Sequence, residues 1–585
     1  MSEPRLDAGD LAALRDLAAA AAARDRAPAL AYGVVGGGRL LAAGGVGDPG
    51  DGDGAPDERT LFRIASMTKS FTAAAVLHLR DAGRLGLDDA VAAHVPAAAG
   101  LRPPTTDSPA ITLRHLLTMS SGLATDDAWA DRHLDVTGAD LRGWLAEGAA
   151  FAAPPGTLFE YSNLGYGVLG QVVEAVAGVP LQHYVSARLL GPLGMADTVW
   201  DERRARAGAR LARPHRVVDE AAVREAPPLG DGALAPMAGL WSTVADLALW
   251  IAFLAEAFPP RDDPDDGPLR RASRRELQQA ARAVPSALTR EDVLGPLRLA
   301  AGGYGMGLQV ADHLELGPMV THSGGLPGFG SNMRWLPDRA VGVVALANAT
   351  YSRMGMLTRD ALELLHARGA LPPAPRPAPP ALARAAAELC ALLSDWDDAR
   401  AAALFADNVA LDDPLERRRA AAAVLRARHG PLRVASVTAE RATRGEAVLA
   451  GERGSVRVSL ELAPRPPGRV QGYKATSVLP PSEALLAAAA RLAGLAAAPD
   501  REALASLLPD GADVDDVARR LGATHALFGR LTVGDPVSAA GVGPDGIERA
   551  TFRWRGERGG VDVTLAMQNS RVLVERLAPR PVPDL

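Results

Sequence analysis

Cysteine, lysine and aromatic residues are scarce in this 585-residue chain, and no long apolar run interrupts it. The single cysteine, Cys390, forbids an intrachain disulfide and excludes a zinc site built on a cysteine cluster; free cysteines are usually buried small apolar residues, and Cys390 is expected to be one. Nowhere do roughly 18 consecutive apolar residues occur, so no membrane-spanning helix and no membrane partner are expected. The start, Met1-Ser2-Glu3-Pro4-Arg5, has no basic region leading into an apolar core. No export signal is visible, and a soluble, cytoplasmic protein is the expectation. The formal charge of −6 is mild and its acidic and basic residues are interleaved. Such a surface offers no field for a phosphate backbone, so nucleic acid is excluded as a partner.

Lysine occurs only at Lys69 and Lys474; arginine carries every other positive side chain. A guanidinium keeps its proton at working pH, whereas a desolvated ammonium can become a base. The two lysines are therefore candidates for chemistry.

The length suggests several domains at roughly 150 residues each. Gly369 to Pro380, GALPPAPRPAPP, favours extended polyproline and reads as a linker, dividing a unit of 1–368 from the tail. The tail repeats itself. Gly451 to Leu460 (GERGSVRVSL) and Gly556 to Leu565 (GERGGVDVTL) share seven of ten residues at an offset of 105, which two copies of one domain would produce. Residues 381–480 and 481–585 are read as two tandem α+β domains, each with Ala- and Leu-rich helices followed by alternating strands. In pattern they resemble the nuclear-transport-factor-2-like class. Packing, dimerisation of two chains or shaping of a substrate site are their expected uses.

In the first unit, a helix over about 8–24 precedes strands at Ala29–Val35 and Arg39–Ala43, joined by three glycines that lack the Lys-Ser/Thr of a phosphate loop. Helical patterns fill 66–255. Strands return near 306–310, 320–322, 331–336 and 340–347, before a last helix at 353–367. The order predicts an antiparallel sheet built from both ends of the unit and flanked by helices, with a helical insertion and a cleft where sheet and insertion meet.

Three short elements carry chemistry. Ser66-Met67-Thr68-Lys69 at a predicted helix start puts a hydroxyl and an amine three residues apart on one face. Met67, Phe71, Ala74, Ala75 and His78 would be the buried stripe of that helix. Taken alone, Ser66 could equally be an N-cap and Lys69 a solvated first-turn residue. Tyr161-Ser162-Asn163, within PPGTLFEYSNLGYGVLG, can aim a phenol and a carboxamide into one cavity. His322-Ser323-Gly324-Gly325 ends a predicted strand, its glycines permitting close approach of a backbone or ligand. Other features are plainer: Asp48 to Glu58 lacks calcium-loop spacing and reads as a solvated loop. Arg203–Arg213 and Arg270–Arg275 read as exposed surface. No metal and no cofactor is called for.

These elements, in this order, with the flanks TLFRIASMTKSFTA (60–73), ITLRHLLTMSSGL (111–123) and MAGLWSTVADLALW (237–250), resemble the serine β-lactamase-related hydrolases. That group includes class C β-lactamases, D-alanyl-D-alanine carboxypeptidases, D-aminopeptidases and β-lactamase-fold esterases. The resemblance implies the β-lactamase/penicillin-binding-protein-like α/β (α+β) fold and an acyl-enzyme on Ser66. It also implies a base formed by Lys69 and a Tyr161 phenolate, an ordering role for Asn163, and an oxyanion hole from the N–H groups of Ser66 and Gly325. The third element is commonly Lys-Thr-Gly in this group. Here His322 stands in the lysine's place, and a neutral imidazole holds a carboxylate less well than a permanent cation. The implied substrate is a small ester or amide, with a D-amino-acid amidase, a D-aminopeptidase or a weak β-lactamase as alternatives. An inactive relative that only binds a ligand is the non-enzyme alternative.

Overall fold

Ala29–Gly36, a run of small and branched apolar residues, is buried at every position, because helices cover both faces of the sheet it belongs to. Successive side chains in a strand point to opposite faces. Leu30, Tyr32 and Val34 accordingly join one apolar cluster with the helices Ala8–Asp25 and Met354–Ala367, while Ala31 and Val35 join the other, with Thr68–Asp81 and Val244–Ala255. At Gly33 the last of these helices comes so close that an added Cβ would lie 2.4 Å from Val244. The computed structural model describes residues 4–227, 229–289, 298–313, 316–372, 379–542, 546–557 and 559–580.

The chain divides into one unit of Met1–Thr289 with Arg298–Pro375 and a second that includes Arg376–Leu585. In the first, eight strands pair antiparallel in the order Arg39–Gly47, Ala29–Gly36, Val341–Ala347, Phe329–Leu336, Gly317–Leu326, Gln309–His313, Gly302–Tyr304 and Arg282–Ala283. Strands from both ends of the unit therefore meet at its centre, and the helices between them form the insertion. Of the linker 369–380, residues 373–378 lie outside those described, and a helix already begins at Pro380.

The second unit shows the repeat as repeated structure. Gly430 and Gly529 each end a helix at φ near +78° (78° and 79°), a conformation that favours glycine. Gly451 and Gly556 lie against the carbonyls of His429 and Phe528 in the same way. Each copy has its own apolar cluster, Cys390 lying in the first. The two sheets are nevertheless one, joined by a parallel contact of Val478 with Ala539. Among the described residues no single helix is long and apolar enough to cross a membrane.

Two expectations are corrected. Arg271 and Arg274 are not surface residues: they are 4% and 2% exposed and bind Asp263, Asp265 and Glu256. The helix carrying Lys69 has no solvent face over its first ten residues, Thr68–Leu77, so no stripe distinguishes its sides. His78, placed in that stripe, is half-buried and bonded to the Tyr184 hydroxyl at 2.6 Å.

Candidate active site

Ser66 sits two residues before the α-helix rather than on its first turn. The 3-10 turn Ala65–Met67 leads into Thr68–Asp81, and Ala65 adopts φ +48°, a strained value for a residue with a Cβ. Surrounding bonds hold the turn: Ile64 N–H donates to Leu240 O at 3.0 Å, and Ser331 Oγ donates to Ile64 O at 2.8 Å. Gly324 must be glycine here, since an added Cβ would lie 2.2 Å from that same carbonyl. Of residues 61–70, Ser66 alone is not fully buried.

Lys69, three residues on, is 0% exposed. Its Nζ lies 2.9 Å from Ser66 Oγ, 2.7 Å from Asn163 Oδ1 and 3.0 Å from Met237 O. Thr72 Oγ1 donates to Pro236 O at 2.6 Å, which fixes the segment that supplies Met237. Burial pulls the Lys69 ammonium down to about 7, against the opposing pull of Asp127, Asp126 and Asp131. The geometry suits the neutral amine. Asn163 Oδ1 and Met237 O can only accept, so they take its two hydrogens and leave its lone pair facing the Ser66 hydroxyl.

Asn163 opens the helix Asn163–Ala177. Asp126 accepts from the N–H of Asn163 at 2.7 Å and of Leu164 at 2.8 Å, satisfying two first-turn donors and so fixing where the carboxamide points. Tyr161 shares the cleft wall with Ser66, and Lys69 Nζ stands 4.9 Å from its ring centroid. Burial pushes the phenol well above its ordinary value, with the nearby Ser66 hydroxyl pulling the other way. That direction favours the protonated phenol over the phenolate implied by the resemblance.

His322 lies on Gly317–Leu326 and is 2% exposed. Its Nδ1 is 2.6 Å from Ser323 O and its Nε2 3.1 Å from the Tyr304 hydroxyl, so the ring donates at Nδ1 and accepts at Nε2. Burial and the nearby Lys69 lower it to about 3, leaving a neutral imidazole. Ser323 is exposed, its Oγ receiving Asn332 Nδ2 at 2.8 Å.

Ser66, Tyr161, His322, Ser323, Gly324 and Gly325 all line one cleft of about 370 Å³. Lys69 and Asn163 are not among its lining residues; Lys69 bonds both to Ser66 and to Asn163. The structure thus brings all eight predicted residues together. It adds Asp127, which lines the cleft and accepts from Asn163 Nδ2 at 2.7 Å, and Tyr351, whose hydroxyl bonds to Asp131. Asp126 and Asp127 lie three and four residues beyond the flank 111–123, and that proximity was the available signal. Tyr351 and Tyr304 had none. Among the described residues no group of three His, Cys, Asp or Glu is placed to hold a metal ion.

A family model described as Beta-lactamase matches residues 14–368. Esterase EstB of Burkholderia gladioli is 31% identical over 342 residues, which are 53% of this chain and 83% of that protein. Protein flp of Staphylococcus aureus (strain NCTC 8325 / PS 47) is 29% identical over 301 residues, 49% of this chain and 53% of flp, so the chain spans about half the length of that relative. The octameric penicillin-binding protein homologue from Pyrococcus abyssi superposes with a TM-score of 0.52 at 18% identity, covering 97% of this chain and 99% of that one. At that identity the likeness is one of fold.

Proposed function

The chain belongs to the Beta-lactamase family through residues 14–368, and from that premise we propose that it is a serine hydrolase cleaving a small ester or amide through an acyl-enzyme on Ser66. The observation that carries this reading is the 2.9 Å approach of a fully buried amine, Lys69 Nζ, to the hydroxyl of Ser66. An amine titrating near pH 7 is well matched to general-base work at neutral pH.

Ser66 Oγ attacks the carbonyl carbon as its proton passes to Lys69. The N–H groups of Ser66 and Gly325 receive the developing oxyanion, each contributing about 3 kcal/mol of transition-state stabilisation. The bond to the leaving group breaks as the Tyr161 phenol gives its proton to the departing oxygen or nitrogen, and Lys69 returns one to Tyr161. Water, deprotonated by the same pair, then releases the acid and restores Ser66. His322 brings no positive charge for a substrate carboxylate, which favours plain esters and amides over penicillins. Asp127 on the cleft wall supports a second reading, an amide of a D-amino acid whose ammonium would meet that carboxylate.

Intact mass after treatment with a fluorophosphonate tests the proposal. An adduct mapped to Ser66 and missing from Ser66→Ala is the expected result. No adduct and no turnover of p-nitrophenyl esters would leave a ligand-binding protein instead. A panel of p-nitrophenyl esters against D-amino-acid anilides separates the two enzyme readings.

A further inference from the structure

Behind the nucleophile turn lies a second cavity, of about 200 Å³, which shares no lining residue with the Ser66 cleft. It forms where the short strand Phe62–Arg63 pairs with Trp241–Ser242, setting Arg63 directly opposite Trp241. The Arg63 guanidinium stands over the indole at 5.3 Å from its centroid, and Phe329 meets that indole edge-on at 5.3 Å. Pro214, Pro227 and Leu229 complete an apolar wall.

Two donors at this cavity are unsatisfied. Arg63 is 3% exposed, and its Nη2 donates to Leu229 O at 2.7 Å and Gly230 O at 3.2 Å. Arg63 Nη1 and Trp241 Nε1 are buried without a hydrogen-bond partner among the described residues. Arg63 makes no ion pair among them either; Glu202, Asp231 and Asp201 act on it only from farther away. A buried guanidinium without a counter-ion and two orphaned donors are each costly, and an incoming acceptor that reaches them would relieve that cost. Arg213 and Arg224, exposed and without an ion pair among the described residues, line the same cavity. The Glu225 carboxylate beside them is taken by Arg132 at 3.0 Å, so three arginines face Glu202 alone.

We propose that this cavity binds a small carboxylate with an apolar body. The carboxylate meets Arg63 and the Trp241 N–H, with Arg213 and Arg224 adding positive potential, and the body lies against Trp241, Phe329 and the prolines. The size fits: an apolar cavity of about 150 Å³ accepts a benzene ring, and this one has room for a ring with its carboxylate. The planar fork of arginine suits that group.

Benzoate is the probe, with benzamide as its uncharged twin, titrated by calorimetry and tryptophan fluorescence into the full chain. Saturable binding of benzoate but not benzamide is expected, equally in wild type and Ser66→Ala, since the site does not depend on the nucleophile. Arg63→Gln should weaken it roughly tenfold or more, as loss of a charged hydrogen bond does. Should that variant not fold, the exposed double variant Arg213→Ala/Arg224→Ala decides, with a several-fold loss expected. Absence of saturable binding, equal binding of benzamide, or unchanged affinity in the arginine variants would overturn the proposal.

Discussion

The carboxamide of Asn163 stands between an amine and an acid: its Oδ1 is 2.7 Å from Lys69 Nζ and its Nδ2 is 2.7 Å from Asp127 Oδ1. A neutral group in that place keeps the carboxylate from clamping the ammonium in its charged form. Asn163→Asp would set a carboxylate directly against Lys69, and an opposite charge at that distance raises an ammonium by about 1–3 units. The acidic limb of kcat/KM, expected near pH 7 in the wild type, should move up by that interval. Turnover at pH 7 should fall about fivefold or more. A pH–rate profile of ester hydrolysis checks this, and a limb that stays near 7 would mean another group is the base.

Lys69 itself separates charge from proton transfer. Lys69→Arg keeps the charge, but a guanidinium cannot give up its proton, so turnover should drop by about 10²–10⁴. Lys69→Met removes the charge. The native ammonium titrates near 7, below its ordinary value of 10.5, so the unfolded chain binds the extra proton between those values and wild-type stability rises with pH across that window. Lys69→Met should therefore gain most over the wild type at pH 7 and below. The gain is bounded at about 5 kcal/mol by the size of the shift and should shrink toward pH 10. Chemical denaturation at several pH values measures both trends.

Much of this site was legible in the sequence because its parts are local. Ser66 and Lys69 are separated by one helical turn, Tyr161 and Asn163 by one residue, and His322 and Gly325 share a strand, so spacing alone sets each small group. The long-range placement was legible only through the order of elements, with strands at both ends of the unit and helices between. The electrostatics were not. Whether Tyr161 carries a proton depends on how much protein surrounds it, and burial does not follow from three letters. The same holds for Arg271 and Arg274: a basic run looks like surface until the carboxylates of Asp263, Asp265 and Glu256 fold onto it.

In the proposed mechanism Tyr161 is the proton donor to the leaving group. Tyr161→Phe should therefore lower kcat about 10²–10⁴-fold, and should cost less with a leaving group that needs no proton, such as p-nitrophenolate, than with an alkoxide or amine. Because its phenol lies well above the ordinary value, no basic limb from Tyr161 should appear below pH 10. A limb near pH 8 that vanishes in Tyr161→Phe would instead show a phenolate.

His322 should stay neutral throughout the working range. With its Nδ1 donating to Ser323 O and its shift down to about 3, its ring protons should show no titration between pH 5 and 8 by NMR. Substrates bearing a carboxylate should gain little from it; His322→Lys, by adding a cation at the cleft wall, should lower KM for such substrates without a matching gain for neutral esters.

Asp131 gives the cleft a stability signature of the opposite sense. Its carboxyl, raised by burial to about 6 while the Tyr351 hydroxyl bonds to it, binds a proton more readily in the native chain than in the unfolded one. The stabilising contribution of that proton is fully present below about pH 4 and is lost as pH rises through 6. Above pH 6 the wild type therefore holds a poorly solvated carboxylate, at a cost of at most about 3 kcal/mol. Asp131→Asn keeps an acceptor for Tyr351 and removes the charge. It should be the more stable protein at pH 8 and converge with the wild type near pH 4. Thermal unfolding at the two pH values reads the difference, and equal curves at both would place the Asp131 carboxylate in solvent rather than under Tyr351.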